Sequence, residues 1–143
     1  MQCEFPDVNS NKDEIKEIFE NTKTIAIIGL SPDTSKASNM VARYLKNAGF
    51  QIVPVYPKGD EILGEKVYRS LSEIPFKIDM VDIFRKPDVI GLVIDAAIQR
   101  GDVDCVWTQL GLVNNEAAKR AVEAGIKVVQ NHCTKIEHAQ LIF

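Results

Sequence analysis

Residues suited to binding phosphate groups come together in a loop near the start of the sequence. After Gly29 this loop contains Ser31, Ser35, Lys36 and Ser38, and a helical pattern follows. Backbone N–H groups and the positive end of a helix dipole would meet there, which favours a bound anion. The alternative from these residues alone is that Ser38 only caps the helix and Ser31 only forms a turn.

A second loop reads Tyr56, Pro57, Lys58 and Gly59, directly after an apolar run. An NAD-binding domain usually places an acidic residue here to hold the ribose hydroxyls. A lysine can pair with a phosphate instead, and the GxGxxG fingerprint is absent after Gly29. The two loops therefore predict a phosphate-rich ligand, with NADP or coenzyme A favoured over NAD.

A third loop presents Arg85, Lys86 and Pro87 immediately before another helical pattern. Cationic side chains would again lie beside a helix N-terminus, although a solvated basic turn explains the same residues.

Cys133 follows the last apolar run, where it is either a reactive thiol facing a ligand or an inert packed residue. Trp107 fits the crevice and the core equally well.

Catalytic and metal-binding signatures are missing from the sequence. There is no GxSxG, HExxH or GxxxxGK[ST] motif, and no pair of carboxylates has an obvious catalytic spacing. His132 and His138 lie near Cys133 and Glu137, but no second group of ligands accompanies them, so we expect no metal site. The sequence predicts binding rather than catalysis, and we assign no catalytic residue.

The elements that would position these loops alternate along the chain. Five apolar runs predict strands, namely TIAIIGL, QIVPVYP, KIDMVDIF, DVDCVWTQ and IKVVQN, with helical patterns between most of them. This alternation predicts an α/β fold, a Rossmann-like doubly wound parallel sheet with helices on both faces. Its ligand crevice should lie beyond the carboxyl ends of the strands.

The remaining segments are assigned from local patterns. Ser10 and Asp13 resemble a capping box, and residues 1–22 should contain a helix that packs on the sheet. Helix-terminating signals are expected at Gly49, Gly101 and Gly125. The class of residues 58–75 stays open, apart from a short helical piece at SLSEI.

Composition limits the classes of function. The 143 residues and 45% hydrophobic content suit one domain, 1–143, and a net charge of −3 gives no basic field for nucleic acid or an anionic membrane. Cys3, Cys105 and Cys133 form no CxxC pair, which favours reduced thiols and a cytoplasmic location. No stretch predicts a signal peptide or a membrane span.

The motifs GLSPDTSKAS, FRKPD and CTKIEHAQL occur in this order, and with the segments around them they resemble the small bacterial and archaeal coenzyme A-binding protein family. That family is similar to the N-terminal domain of the succinyl-CoA synthetase alpha subunit and of ADP-forming acyl-CoA synthetases. The resemblance implies a Rossmann-like fold and a crevice for coenzyme A.

The same resemblance implies a set of ligand-binding residues. The first loop would hold phosphates, Lys58 would reach a phosphate, and Pro57 and Phe84 would flank the nucleotide. Arg85 and Pro87 would close the other side. Tyr56 and His132 depart from the residues that the family often has there.

Three functions remain open at this point. The first is a module that binds coenzyme A or acyl-CoA without catalysis, the second is an NADP-dependent oxidoreductase, and the third is a subunit that presents coenzyme A in a split acyl-CoA synthetase. The third requires a synthetase-like partner chain, because nothing here resembles the second domain of such enzymes. A homo-oligomer is also left open.

Overall fold

The computed structural model describes residues 5–141, so Cys3 lies outside the described residues. In chain order, its strands are β1 Thr24–Ile28, β2 Gln51–Val55, β3 Glu61–Ile62, β4 Glu65–Lys66, β5 Met80–Ile83, β6 Cys105–Thr108 and β7 Lys127–Val129. The α-helices are α1 Lys12–Glu20, α2 Ala37–Asn47, α3 Pro87–Arg100, α4 Asn115–Glu123 and α5 Thr134–Leu141.

The main sheet has the five predicted strands, all parallel, in the order β2-β1-β5-β6-β7. The chain passes from β1 outward to β2 and then returns to pair β5 on the other side of β1. In such sheets the connections diverge where the strand order reverses, and a crevice opens at the carboxyl ends of the strands. The predicted fold is confirmed, and the crevice is expected beside β1 and β5.

Helices cover both faces of this sheet because strand residues point alternately to opposite sides. On one face, α3 and α4 pack against buried residues such as Val53, Val81 and Val106. On the other, α1 and α2 pack against residues that include Ile27 and Trp107. Two apolar layers therefore hold the strand ends in place.

The helix α1 begins one residue later than the predicted cap implies. The capping box consists of Asn11 and Glu14, one residue after the predicted pair Ser10 and Asp13. The Ser10 hydroxyl instead donates to the backbone oxygen of Val128 at 2.7 Å. That long-range bond ties the segment before α1 to the strand β7.

Residues 58–75, which the sequence left open, contain the β3–β4 hairpin and a 3-10 helix at Leu71–Glu73. The guanidinium of Arg100, at the end of α3, holds this segment in place. It donates to the backbone oxygens of Leu71, Ile74 and Phe76 at 2.6, 2.9 and 2.7 Å. The connection from β2 to β5 is thereby fixed against α3.

Candidate functional site

A crevice of about 1130 Å³ opens at the carboxyl ends of β1, β5 and β6. It lies between the N-termini of α2 and α3, and its lining is formed by Ala37, Val41, Phe84, Arg85, Lys86, Pro87, Asp88, Gln109, Leu110, Gly111, Leu112 and Cys133. Cations lie at one side, whereas most of the remaining lining is apolar. This combination suits a long ligand with a charged end and a less polar end.

Gly29 brings the first and third loops into contact. Its φ is +82°, and a Cβ added there would lie 2.6 Å from the backbone oxygen of Phe84 and 2.9 Å from Cδ of Arg85. Its N–H donates to the backbone oxygen of Val55 at 2.9 Å. Only glycine combines this backbone conformation with so close an approach.

The predicted serines of the first loop shape the loop through hydrogen bonds to one another and to Asp33. The N–H of Ser31 donates to Oγ of Ser38 at 3.0 Å, and Oγ of Ser31 accepts from the N–H of Asp33 at 3.1 Å. Ser35 donates to the Asp33 carboxylate through its N–H, at 2.9 Å, and its hydroxyl, at 2.7 Å. These two hydrogen bonds lower the pKa of Asp33. Ser35 would have to leave Asp33 before its hydroxyl could bind a phosphate.

The start of α2 keeps free N–H groups for an anion. Lys36 is the N-cap residue, and its side chain makes no capping hydrogen bond. Within residues 5–141, no acceptor meets the N–H groups of Ala37, Ser38 and Asn39. Ser38 is therefore not the N-cap, and these N–H groups have no acceptor within the described residues, which is the arrangement that a helix N-terminus offers to an anion.

The cations of the second and third loops are exposed. The side chains of Lys58, Arg85 and Lys86 make no hydrogen bond or ion pair with any residue in the described part of the chain. Arg85 also borders a second cavity of about 250 Å³, which Pro57 and residues of α3 line. Lys58 lines neither cavity, although it follows Pro57 directly. Arg85 and Lys86 therefore line the crevice without forming an ion pair, although Asp88 lines it as well.

The far end of the crevice contains Gln109, Leu110 and the half-buried Cys133. Trp107 belongs to the core instead, since it is 0% exposed and its Nε1 donates to the backbone oxygen of His132 at 2.8 Å. Cys133 lies directly before the first residue of α5. Among residues 5–141, no group of three or more His, Cys, Asp or Glu side chains is arranged to hold a metal ion.

A buried carboxyl group, Asp82 of β5, lies beneath this end, and the sequence reasoning missed it. Burial raises the pKa of Asp82 to about 7, although hydrogen bonds from Gln109 and Thr134 act in the opposite direction. Nε2 of Gln109 donates to one carboxyl oxygen, and Oγ1 of Thr134 donates to the other at 3.0 Å. An aspartate inside the apolar run MVDIF was the one available signal.

Membrane insertion by a helix has no support in residues 5–141, where every helix is too short or too polar to cross a bilayer.

Comparison with known proteins places the chain among relatives of similar length. The family described as CoA binding domain matches residues 23–139. The uncharacterized protein YneT of Bacillus subtilis (strain 168) is 40% identical over 131 residues, which are 92% of this chain and 96% of that protein. A solved structure of a hypothetical protein from Pyrococcus horikoshii OT3 has a TM-score of 0.90 and 38% identity, with all of both chains covered.

Larger proteins match through one part only. The ADP-forming acetate–CoA ligase I of Archaeoglobus fulgidus is 30% identical over 125 residues, which are 78% of this chain but only 18% of the ligase. The chain thus spans about a fifth of the length of this ligase. The region shared with the ligase is one segment of a much longer enzyme.

Proposed function

The chain belongs to the CoA-binding domain family, and we propose from that premise that it binds coenzyme A or an acyl-CoA in the crevice. The observation that carries the proposal is the crevice itself, with two helix N-termini and unpaired cations at one side and an apolar far end. We propose no catalytic step for this chain alone. The whole chain would act as a single domain in the cytoplasm, in keeping with free Cys105 and Cys133.

The charged side would bind the phosphates. The free N–H groups at the start of α2 and the side chain of Lys36 suit the diphosphate, with Ser31 and Ser38 holding the loop in shape. Lys58 and Arg85 carry the positive charge for the remaining phosphate. The pantetheine arm would then extend along the apolar lining towards Cys133.

Several flanking residues complete this proposal. Pro57 and Phe84 would lie against the nucleotide, and Pro87 would close the crevice at the start of α3. Because Gly29 has no side chain, the first loop would be able to approach the phosphates closely, just as it lies close to the third loop. Ser35 would join the phosphate ligands only after releasing Asp33.

A subunit that presents coenzyme A to a partner chain is the second candidate. It is favoured by relatives in which a similar region forms part of an ADP-forming acetate–CoA ligase or of the alpha subunit of such a ligase. An NADP-dependent oxidoreductase has less support, because the first loop lacks the glycines that a dinucleotide requires. Whether a partner chain or a second copy joins this one would follow from the mass of the assembly in solution.

Competition binding tests the proposed function. Equilibrium dialysis with coenzyme A, dephospho-coenzyme A, acetyl-CoA and NADP should rank coenzyme A above NADP. Coenzyme A should also bind more tightly than dephospho-coenzyme A, since the additional phosphate gains a cationic partner. Tighter binding of NADP would support the oxidoreductase instead.

A further inference from the structure

Gln109 lines the crevice with its side chain held in one orientation. It is 6% exposed, and its Nε2 donates both to Oδ1 of Asp82 and, at 3.1 Å, to Oγ1 of Thr134. Both hydrogens of the amide nitrogen are therefore used inside the protein. The amide plane is fixed by two partners from different elements, β5 and α5.

The hydrogen-bonding pattern also determines which end of the amide faces the crevice. Thr134 donates its only hydroxyl hydrogen to Oδ2 of Asp82, so the oxygen of Thr134 can only accept from Gln109. Reversing the amide would place its oxygen against the oxygens of Asp82 and Thr134. With Asp82 ionised, these two acceptors place the amide nitrogen on the inner side and leave Oε1 on the outer side.

Oε1 of Gln109 remains available to a ligand. No residue among 5–141 donates a hydrogen bond to it. Among the described residues, the side-chain polar atom that is both fully enclosed and without a hydrogen-bond partner is Oδ1 of Asn39. Oε1 of Gln109 also has no partner in the protein but is not fully enclosed, so it keeps accessible surface. It is an acceptor in a part of the crevice whose lining also includes Leu110 and Cys133.

We propose that Gln109 is a specificity-determining residue whose fixed Oε1 accepts a hydrogen bond from an amide N–H of the ligand's pantetheine arm. This inference rests on the proposed function and assigns the part of the ligand that the far end recognises. A phosphate carries no suitable donor at neutral pH, whereas the pantetheine arm alternates apolar carbons with amide N–H groups. The lining around Gln109 has the matching character, with Phe84 and Leu112 as apolar neighbours of a single oriented acceptor.

Asp82 and Thr134 act as positioning residues in this arrangement. Asp82 is 0% exposed and Thr134 is 0% exposed, so neither can touch the ligand. Their effect on binding must pass through the amide of Gln109. Loss of one hydrogen bond from Thr134 would let the amide rotate or reverse, and the acceptor would no longer be presented reliably.

The test compares coenzyme A with adenosine 3′,5′-diphosphate, which lacks the pantetheine arm. Gln109→Met keeps a similar side-chain volume but has no amide oxygen. Calorimetry should show coenzyme A binding weakened about threefold to tenfold, the usual effect of one lost neutral hydrogen bond. Binding of adenosine 3′,5′-diphosphate should stay unchanged, so the ratio of the two affinities falls.

Thr134→Val and Thr134→Ser form a matched pair that does not depend on Gln109→Met folding. Valine removes the hydroxyl and should lower the same affinity ratio, whereas serine keeps the hydroxyl and should preserve it. Equal ratios in wild type, Gln109→Met and Thr134→Val would overturn the role of Gln109 while leaving coenzyme A binding intact. Wild-type protein that binds neither compound would instead overturn the proposed function, and this inference with it.

Discussion

Replacing Asp82 by asparagine should change how the stability of this protein depends on pH. Burial raises the pKa of Asp82 from its ordinary 3.8 to about 7, because the carboxylate would be ionised inside the sheet with only Gln109 and Thr134 as partners. Asparagine has nearly the same shape and cannot ionise. It therefore represents the protonated form of this residue.

The direction and size of the effect follow from the two pKa values. Between pH 3.8 and about 7 the unfolded chain has lost the proton of Asp82 while the folded chain keeps it, so stability falls as pH rises through this interval. At about 1.4 kcal/mol per pH unit, the interval corresponds to a loss of up to about 4 kcal/mol. The loss is absent below the interval and complete above it.

Urea unfolding of wild type and Asp82→Asn at pH values from about 4 to about 8 measures this difference. The free energy of unfolding of Asp82→Asn should rise relative to wild type across the range, by up to about 4 kcal/mol at the upper end. Burial also lowers the pKa of His138, but both proteins share that residue, so its contribution cancels. A difference between the two proteins that is the same at both ends of the range would refute the reasoning.

Three further predictions concern the crevice. Lys58→Ala and Arg85→Ala should each weaken coenzyme A binding by about 1 to 3 kcal/mol in calorimetry without lowering the melting temperature, and Lys119→Ala on α4 should change neither. Gly29→Ala should lower the free energy of unfolding by at least about 2 kcal/mol, because residue 29 has a positive φ and the added methyl group would lie 2.6 Å from the backbone oxygen of Phe84. An unchanged urea midpoint would contradict this. Oxidised coenzyme A should transfer one coenzyme A to the thiol of Cys133 and release the other as a thiol, leaving a reducible adduct in intact-protein mass spectra; persistence of the adduct in Cys133→Ser would remove this thiol from the site.

The fold was predictable because its signals are local. A continuous apolar run such as Thr24–Ile28 indicates a strand buried on both faces, and its alternation with helical patterns indicates a parallel sheet. Pro87 begins α3, and Gly101 in the left-handed conformation ends it, both where the sequence indicated. The predicted cap of α1 was wrong by one residue. Asn11 is followed three residues later by Glu14, the residue type that completes a capping box, and the Ser10 hydroxyl binds the backbone oxygen of Val128 instead.

The candidate site was predictable only in part. The cations and Gly29 could be predicted from the sequence, because positive charge and the backbone freedom of glycine are properties of the residue type. It did not reveal the contacts of Asp82, whose partners Gln109 and Thr134 are 27 and 52 positions away in the chain. The contact between Ser35 and Asp33 is local, and an Asp two residues before a Ser is a recognised turn signal that the sequence reasoning did not use.

Calorimetric titration of the purified protein with coenzyme A tests the central claim most directly. Saturable binding of one coenzyme A per chain, weakened by Arg85→Ala and reduced at high salt, is the result that the crevice predicts. Absence of binding at millimolar coenzyme A, from a protein whose cooperative thermal unfolding shows that it is folded, would contradict the account.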